Sequence, residues 1–255
     1  MNNSACKVWE KYDVWDRYKI TVWFSILFFS VYLIPNVCLL FDPSCCSQIL
    51  NKRELALIET ENYERDIKVN LMKDTVYYLP GMGGRLETGL GEGIIQRGYN
   101  VVGQATLGAF KKLRFQEKID IITTDLMESF WSDSSIVVAN SFGAYLFLHS
   151  QINMPPFPGK VILFSPVIGT ATNSEIAVRF YPPRADVLRE LALQNKFPKP
   201  QNAEIHVGSE DWQSGPTNVV EFAEAVGLKA IVVEGKGHML GADYVGSVLD
   251  TFLKR

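Results

Sequence analysis

The sequence predicts an α/β fold, an open, mostly parallel six-stranded sheet with helices on both faces, preceded by an N-terminal apolar helical extension. Three observations predict it. From residue 75 onward, short runs of β-branched and aromatic residues alternate with stretches of helical periodicity, the pattern of buried parallel strands joined by crossover helices. The segments that carry reactive residue types fall at the carboxyl ends of those strands, where such sheets hold their ligands. The 255 residues, 47% hydrophobic and 21% charged, suffice for one substantial core and one globular domain.

Residues 1–71 differ in character from the domain at 73–255. Between Lys19 and Asp42 no residue is charged, and the apolar segment 20–41 is long enough to cross a bilayer, which takes about 20 residues as a helix. Pro35 and Asn36 interrupt it, leaving Ile20 to Ile34 as the continuous part, nearer the length of a signal-sequence core. No small-residue cleavage site follows, so an uncleaved membrane anchor is favoured over a removed signal, and Lys7, Lys11, Arg17 and Lys19 before the segment place the N-terminus in the cytoplasm. A second reading stays open, in which Met72, directly before the first strand, leaves residues 1–71 a dispensable extension of a cytoplasmic protein. Residues 42–71 read as a polar linker. All four cysteines, Cys6, Cys38, Cys45 and Cys46, lie in this N-terminal part, so the domain is built without disulfides or a thiolate metal site.

Within the domain the expected strands are Thr75–Leu79, Tyr99–Val102, Ser135–Ala139, Lys160–Phe164, Ala203–Val207 and Lys229–Val233. The expected helices are Leu86–Gln96, Glu117–Phe130, Phe142–Ser150, Ala185–Gln194, Pro216–Val226 and Asp243–Leu253. The third strand runs into its helix through Asn140-Ser141-Phe142-Gly143. Presenting a hydroxyl on so tight a corner needs minimal side chains two residues before and two after it, and Ala139 and Gly143 meet that need. The competing reading of Ser141 is a helix cap.

A serine becomes a nucleophile only beside a base that is itself oriented. Of three histidines, His149 sits inside a helix and His206 inside a strand, whereas His238 lies on the loop Gly235-Lys236-Gly237-His238 after the last strand. Two carboxylates, Glu210 and Asp211, follow the strand before it. Asp211 is preferred, because a short side chain one residue further along can point back across the strand tips; Glu210 is the fallback. The first strand ends in Pro80-Gly81-Met82-Gly83-Gly84, a loop that exposes backbone N–H groups; one from Gly81 or Met82 would pair with that of Phe142 to hold an oxyanion. The same loop imitates the start of a dinucleotide fingerprint but has Leu86 where the third glycine belongs, and there is no P-loop.

Together the Leu79–Gly84 loop, the Asn140–Gly143 corner, Gly208-Ser209-Glu210-Asp211 and Gly235–His238 resemble the α/β-hydrolase superfamily, nearest to its small lidless serine hydrolases such as the retinoblastoma-binding serine hydrolase group. The resemblance implies Ser141 as nucleophile, Asp211 as acid, His238 as base, and Met82 and Phe142 as oxyanion donors. Ala139 departs from the usual corner glycine, and Leu79-Pro80 from the histidine-glycine of many members. Trp212, Met239 and Tyr181 are expected around an apolar substrate pocket. The reaction so read is cleavage of a small ester, thioester or amide through an acyl-enzyme, without metal or cofactor; the alternative reading is a non-catalytic or partner-binding protein that keeps the fold. A net charge of −3 and the lack of any basic run exclude a nucleic-acid partner.

Overall fold

The structure, a computed structural model, describes residues 57, 74–173 and 177–254. The apolar segment 20–41, and the linker 42–71 apart from Leu57, lie outside the described residues. Among the described residues no helix is long and apolar enough to cross a membrane. The fold belongs to the unit Lys68–Arg255. Its elements in order are β1 (Thr75–Leu79), α1 (Leu90–Ile95), β2 (Asn100–Gly103), α2 (Gly108–Lys112), α3 (Phe115–Ser129), β3 (Ile136–Asn140), α4 (Phe142–Gln151), β4 (Lys160–Phe164), β5 (Ala171–Asn173), β6 (Val178–Phe180), α5 (Val187–Leu193), β7 (Asn202–Gly208), α6 (Pro216–Val226), β8 (Lys229–Val233) and α7 (Ala242–Phe252).

Six strands form one sheet in the order β2-β1-β3-β4-β7-β8, every neighbouring pair parallel. Successive side chains on a strand point to opposite faces, and the central strands have something to bury on both. Tyr77, Leu79, Val137, Ala139, Leu163, Ile205 and Val207 share a core with Ile122 and Leu126 of α3, Leu146 and Phe147 of α4, Leu188 of α5 and Phe222 of α6. Their alternates Val76, Tyr78, Val138, Ile162 and Phe164 pack with Ile94 of α1 and Leu249 and Phe252 of α7. Helix α4 is buried from Gly143 to Gln151, which explains its apolar sequence on every side.

The chain leaves β1 for β2 on one side of the sheet and returns to β3 on the other. The loops after β1 and β3 therefore depart in opposite directions, and the crevice between them is where an open sheet of this kind receives ligand. Register then decides what meets there. Leu79 pairs with Ala139 and Asn140 with Phe164, so Gly81, Ser141 and Ser165 arrive at one level.

Three features depart from the expected elements. Helix α1 starts at Leu90, not Leu86, because Gly89 takes φ 58° and ψ −116° and breaks the turn. The polar stretch after β4 contains an antiparallel pair, β5 with β6, and α2 lies where no element was expected.

Candidate active site

Ser141 joins β3 to α4 at φ 52° and ψ −122°, a conformation that costs a residue with a side chain on the order of 1–3 kcal/mol. Its backbone is held on both sides: the N–H donates to the Phe164 carbonyl at 2.8 Å, and the carbonyl accepts from the Tyr145 N–H at 3.0 Å. Two residues on, a Cβ at Gly143 would stand 2.1 Å from the Leu79 carbonyl oxygen and 2.5 Å from that of Pro80. Only glycine lets α4 begin this close to the end of β1. The Ser141 hydroxyl does not cap the helix; it lies 2.7 Å from His238 Nε2.

On the other side of the imidazole, His238 Nδ1 lies 2.9 Å from Asp211 Oδ1 and 3.0 Å from Oδ2. Burial pulls the Asp211 carboxyl upward, but hydrogen bonds from His238 and the Ser214 backbone outweigh it, and the group sits below its ordinary value. An ionised carboxylate can only accept. Nδ1 therefore carries the ring proton, and Nε2 is left to accept from the Ser141 hydroxyl.

Asp211 is wholly buried, fixed by the N–H groups of Gln213 at 3.1 Å and Ser214 at 3.0 Å on Oδ1, an Asx-type turn. Glu210 is exposed; its N–H donates to the Lys236 carbonyl at 2.9 Å, and it is Asp211 that meets His238. A Cβ at Gly208 would stand 2.1 Å from the Lys236 carbonyl oxygen and 2.4 Å from that of Gly237, so the bare end of β7 is what lets the histidine loop approach. Two buried serines, unforeseen from the sequence, complete this side. Ser165 donates to the His238 carbonyl at 2.9 Å, and Ser214 donates to the Ser165 carbonyl at 2.9 Å with its oxygen 3.4 Å from His238 Nδ1.

The loop after β1 passes so near the corner that a Cβ at Gly81 would meet Ser141 Cβ at 3.1 Å. The residue that shapes this loop, also unforeseen, is the buried Thr106, just beyond β2. Its hydroxyl donates to the Gly81 carbonyl and accepts from the Gly84 N–H at 3.0 Å. Its carbonyl accepts from the Gly83 N–H at 3.2 Å, and its N–H donates to the Gly84 carbonyl at 3.1 Å. In a trans peptide the carbonyl and the following N–H point in opposite directions, so turning the Gly81 carbonyl to Thr106 turns the Met82 N–H away from it. Phe142 is the first residue of α4, where N–H groups have no acceptor within the helix.

A cavity of about 940 Å³ opens on this crevice, lined near the reacting groups by Gly81, Met82, Ser141, Ser165, His238 and Met239, at the upper end of ordinary ligand pockets. Of the three residues expected around it, Met239 lines it and Trp212 and Tyr181 do not. Tyr181 follows β6 and is exposed, with the Arg179 guanidinium 5.8 Å from its ring centroid. Trp212 stands on the turn whose backbone cradles the Asp211 carboxylate. His149 and His206 are buried away from the cavity; His206 Nδ1 lies 2.7 Å from the Tyr244 hydroxyl. Among the described residues no group of three or more His, Cys, Asp or Glu side chains could hold a metal ion.

Solved structures resemble the chain closely enough to define its fold. The ydeN gene product from B. subtilis matches at 12% identity over 71% of this chain and 100% of that one, with a TM-score of 0.51. A monoacylglycerol lipase from Paleococcus ferrophilus matches at 12% identity over 72% and 95%, with a TM-score of 0.56. Alpha/beta hydrolase domain-containing protein 10 from mouse matches at 13% identity over 71% and 88%, with a TM-score of 0.51. No protein-family model and no curated protein matches the chain. At these identities the likeness concerns architecture, and the architecture is the α/β-hydrolase fold.

Proposed function

We propose that the protein is a serine hydrolase that cleaves a small carboxylic ester, thioester or amide through an acyl-enzyme on Ser141. The observation that carries this reading is the continuous hydrogen-bonded chain from the Ser141 hydroxyl through His238 to Asp211, at 2.7 Å and 2.9 Å, with the serine on a strained corner facing a cavity. The motif resemblance to lidless serine hydrolases supports it, as do the hydrolase and lipase among the similar folds.

In this mechanism Ser141 Oγ attacks the substrate carbonyl carbon while its proton passes to His238 Nε2. The carbonyl π electrons move onto oxygen, and the N–H groups of Phe142 and Met82 receive the developing charge. Asp211 stabilises the imidazolium. The tetrahedral intermediate collapses, the bond to the leaving group breaks, and the Nε2 proton goes to that leaving atom. Water then repeats the sequence against the acyl-enzyme, giving up a proton to Nε2 and releasing acid and free serine.

Hydrolysis of p-nitrophenyl acetate tests the assignment. Ser141→Ala and His238→Ala should each lower kcat by about 10⁴-fold or more; an undiminished rate in the serine variant would overturn it.

A further inference from the structure

We infer that the part of the cavity running away from Ser141, between α1 and α7, is an acyl-chain groove that selects unbranched acyl groups of medium length. The inference rests on the hydrolase reading above and names its substrate class. Among the described residues, α1 and α7 alone contribute helical residues to the core on this face of the sheet, and α1 is six residues long because Gly89 delays its start. The gap left between the two helices has Tyr78 of β1 and Phe164 of β4 as its base, with Leu90 on the α1 side and Val245 and Leu249 on the α7 side.

Two observations give the groove its chemistry. Gly93 lines it from the middle of α1, where glycine weakens a helix. Packing does not require glycine there, since an added Cβ would meet only Arg97 Nη1 at 3.6 Å and Leu249 Cδ1 at 3.9 Å. A larger side chain at Gly93 would instead enter the groove.

The far end is stopped by Arg97, three of whose five N–H groups are committed. Nε bonds Asp250 Oδ1 at 2.9 Å, Nη1 the Gly93 carbonyl at 2.6 Å and Nη2 the Gly246 carbonyl at 2.9 Å. A distal carboxylate or phosphate would stand against Asp250, which already pairs with the guanidinium charge at 2.9 Å; a terminal methyl asks for no partner. Along α1 from Leu90 to Ile95 the wall covers five residue steps, about 7.5 Å at 1.5 Å per residue, a medium-chain acyl length.

The test is kcat/KM of the full-length protein over p-nitrophenyl acetate, butyrate, octanoate and palmitate, in wild type and in Leu90→Trp and Val245→Trp, which fill the groove from opposite walls at partly exposed positions. The values should rise by roughly threefold to fourfold per methylene up to octanoate, as about 0.8 kcal/mol per buried CH₂ converts, and fall at palmitate. The octanoate-to-acetate ratio should drop at least tenfold in a folded tryptophan variant, with folding checked by thermal melting. A flat wild-type profile, or an unchanged ratio in either folded variant, would overturn the groove. A wild type that turns over no ester and shows no fluorophosphonate adduct at Ser141 would remove the hydrolase reading and the groove with it. A flat profile with Ser141 labelled removes the groove alone.

Discussion

Asp211 has no exposed surface and takes hydrogen bonds from His238 and from two backbone N–H groups. Asp211→Asn keeps the size and reverses the demand, since an amide nitrogen donates and the imidazole is then pushed toward the wrong tautomer; kcat should fall by about 10⁴-fold with the fold intact by circular dichroism. The same carboxylate carries a stability signature. Its folded value lies below the ordinary 3.8, so the stabilisation is fully present above the unfolded value and is lost as pH falls through the folded one. Denaturant midpoints of wild type and Asp211→Asn should converge as pH falls below the ordinary 3.8; curves that stay parallel would contradict this.

The juxtaposition of Ser141, His238 and Asp211 was legible in the sequence because the chemistry demands particular residue types in a particular chain order at strand ends. Trp212 and Tyr181 do not line the cavity, because nearness to Asp211 or to the post-β4 stretch in sequence does not fix where a side chain points: Trp212 stands on a turn, and Tyr181 is exposed just after β6.

The elements differ in how they hold the site. Thr106 belongs to none of them and still shapes the loop after β1 through both its backbone and its hydroxyl. Thr106→Val keeps the shape and removes the hydroxyl, releasing the Gly81 carbonyl; kcat should fall by roughly 10-fold to 100-fold, up to the cost of one lost oxyanion donor, with KM little changed. Thr106→Ser should restore most of the loss, whereas equal changes in kcat and KM would point to a merely structural role. A threonine shortly after a strand is a faint signal; only the pairing of β1 with β2 makes it the loop's neighbour.

Helix α4 places His149 among Phe115 and Tyr145, with ring centroids at 5.1 Å and 4.4 Å and, among the described residues, no hydrogen-bond partner on either nitrogen. Burial, aided by the Arg184 charge, pushes its pKa down from 6.5 to about 3. Below pH 6.5 the unfolded chain takes up a proton that the fold refuses, so stability should fall by up to about 1.4 kcal/mol per pH unit down to about pH 3. His149→Phe should remove that slope, read as the difference in urea midpoints between pH 7 and pH 5; identical slopes would contradict it.

At the scale of the whole molecule, the sheet order explains why five distant segments share one crevice. The reversal between β1 and β3 separates the loops that carry Gly81 and Ser141, and β4, β7 and β8 bring Ser165, Asp211 and His238 to the same edge. The six strands of this sheet could be read from the sequence because their central members are buried on both faces and therefore continuously apolar. The short start of α1 could not, since it depends on the backbone angles of Gly89, and it is this shortening that leaves room beside the reacting groups.

The central claim is that His238 makes the hydroxyl at the β3–α4 corner nucleophilic, and the most direct measurement is the site of reaction with a fluorophosphonate, located by mass spectrometry of the digested protein. The predicted result is one adduct per chain, on Ser141, lost in Ser141→Ala and slowed by about 10³-fold or more in His238→Ala. No adduct on the folded wild type, or one that persists in Ser141→Ala, would contradict it.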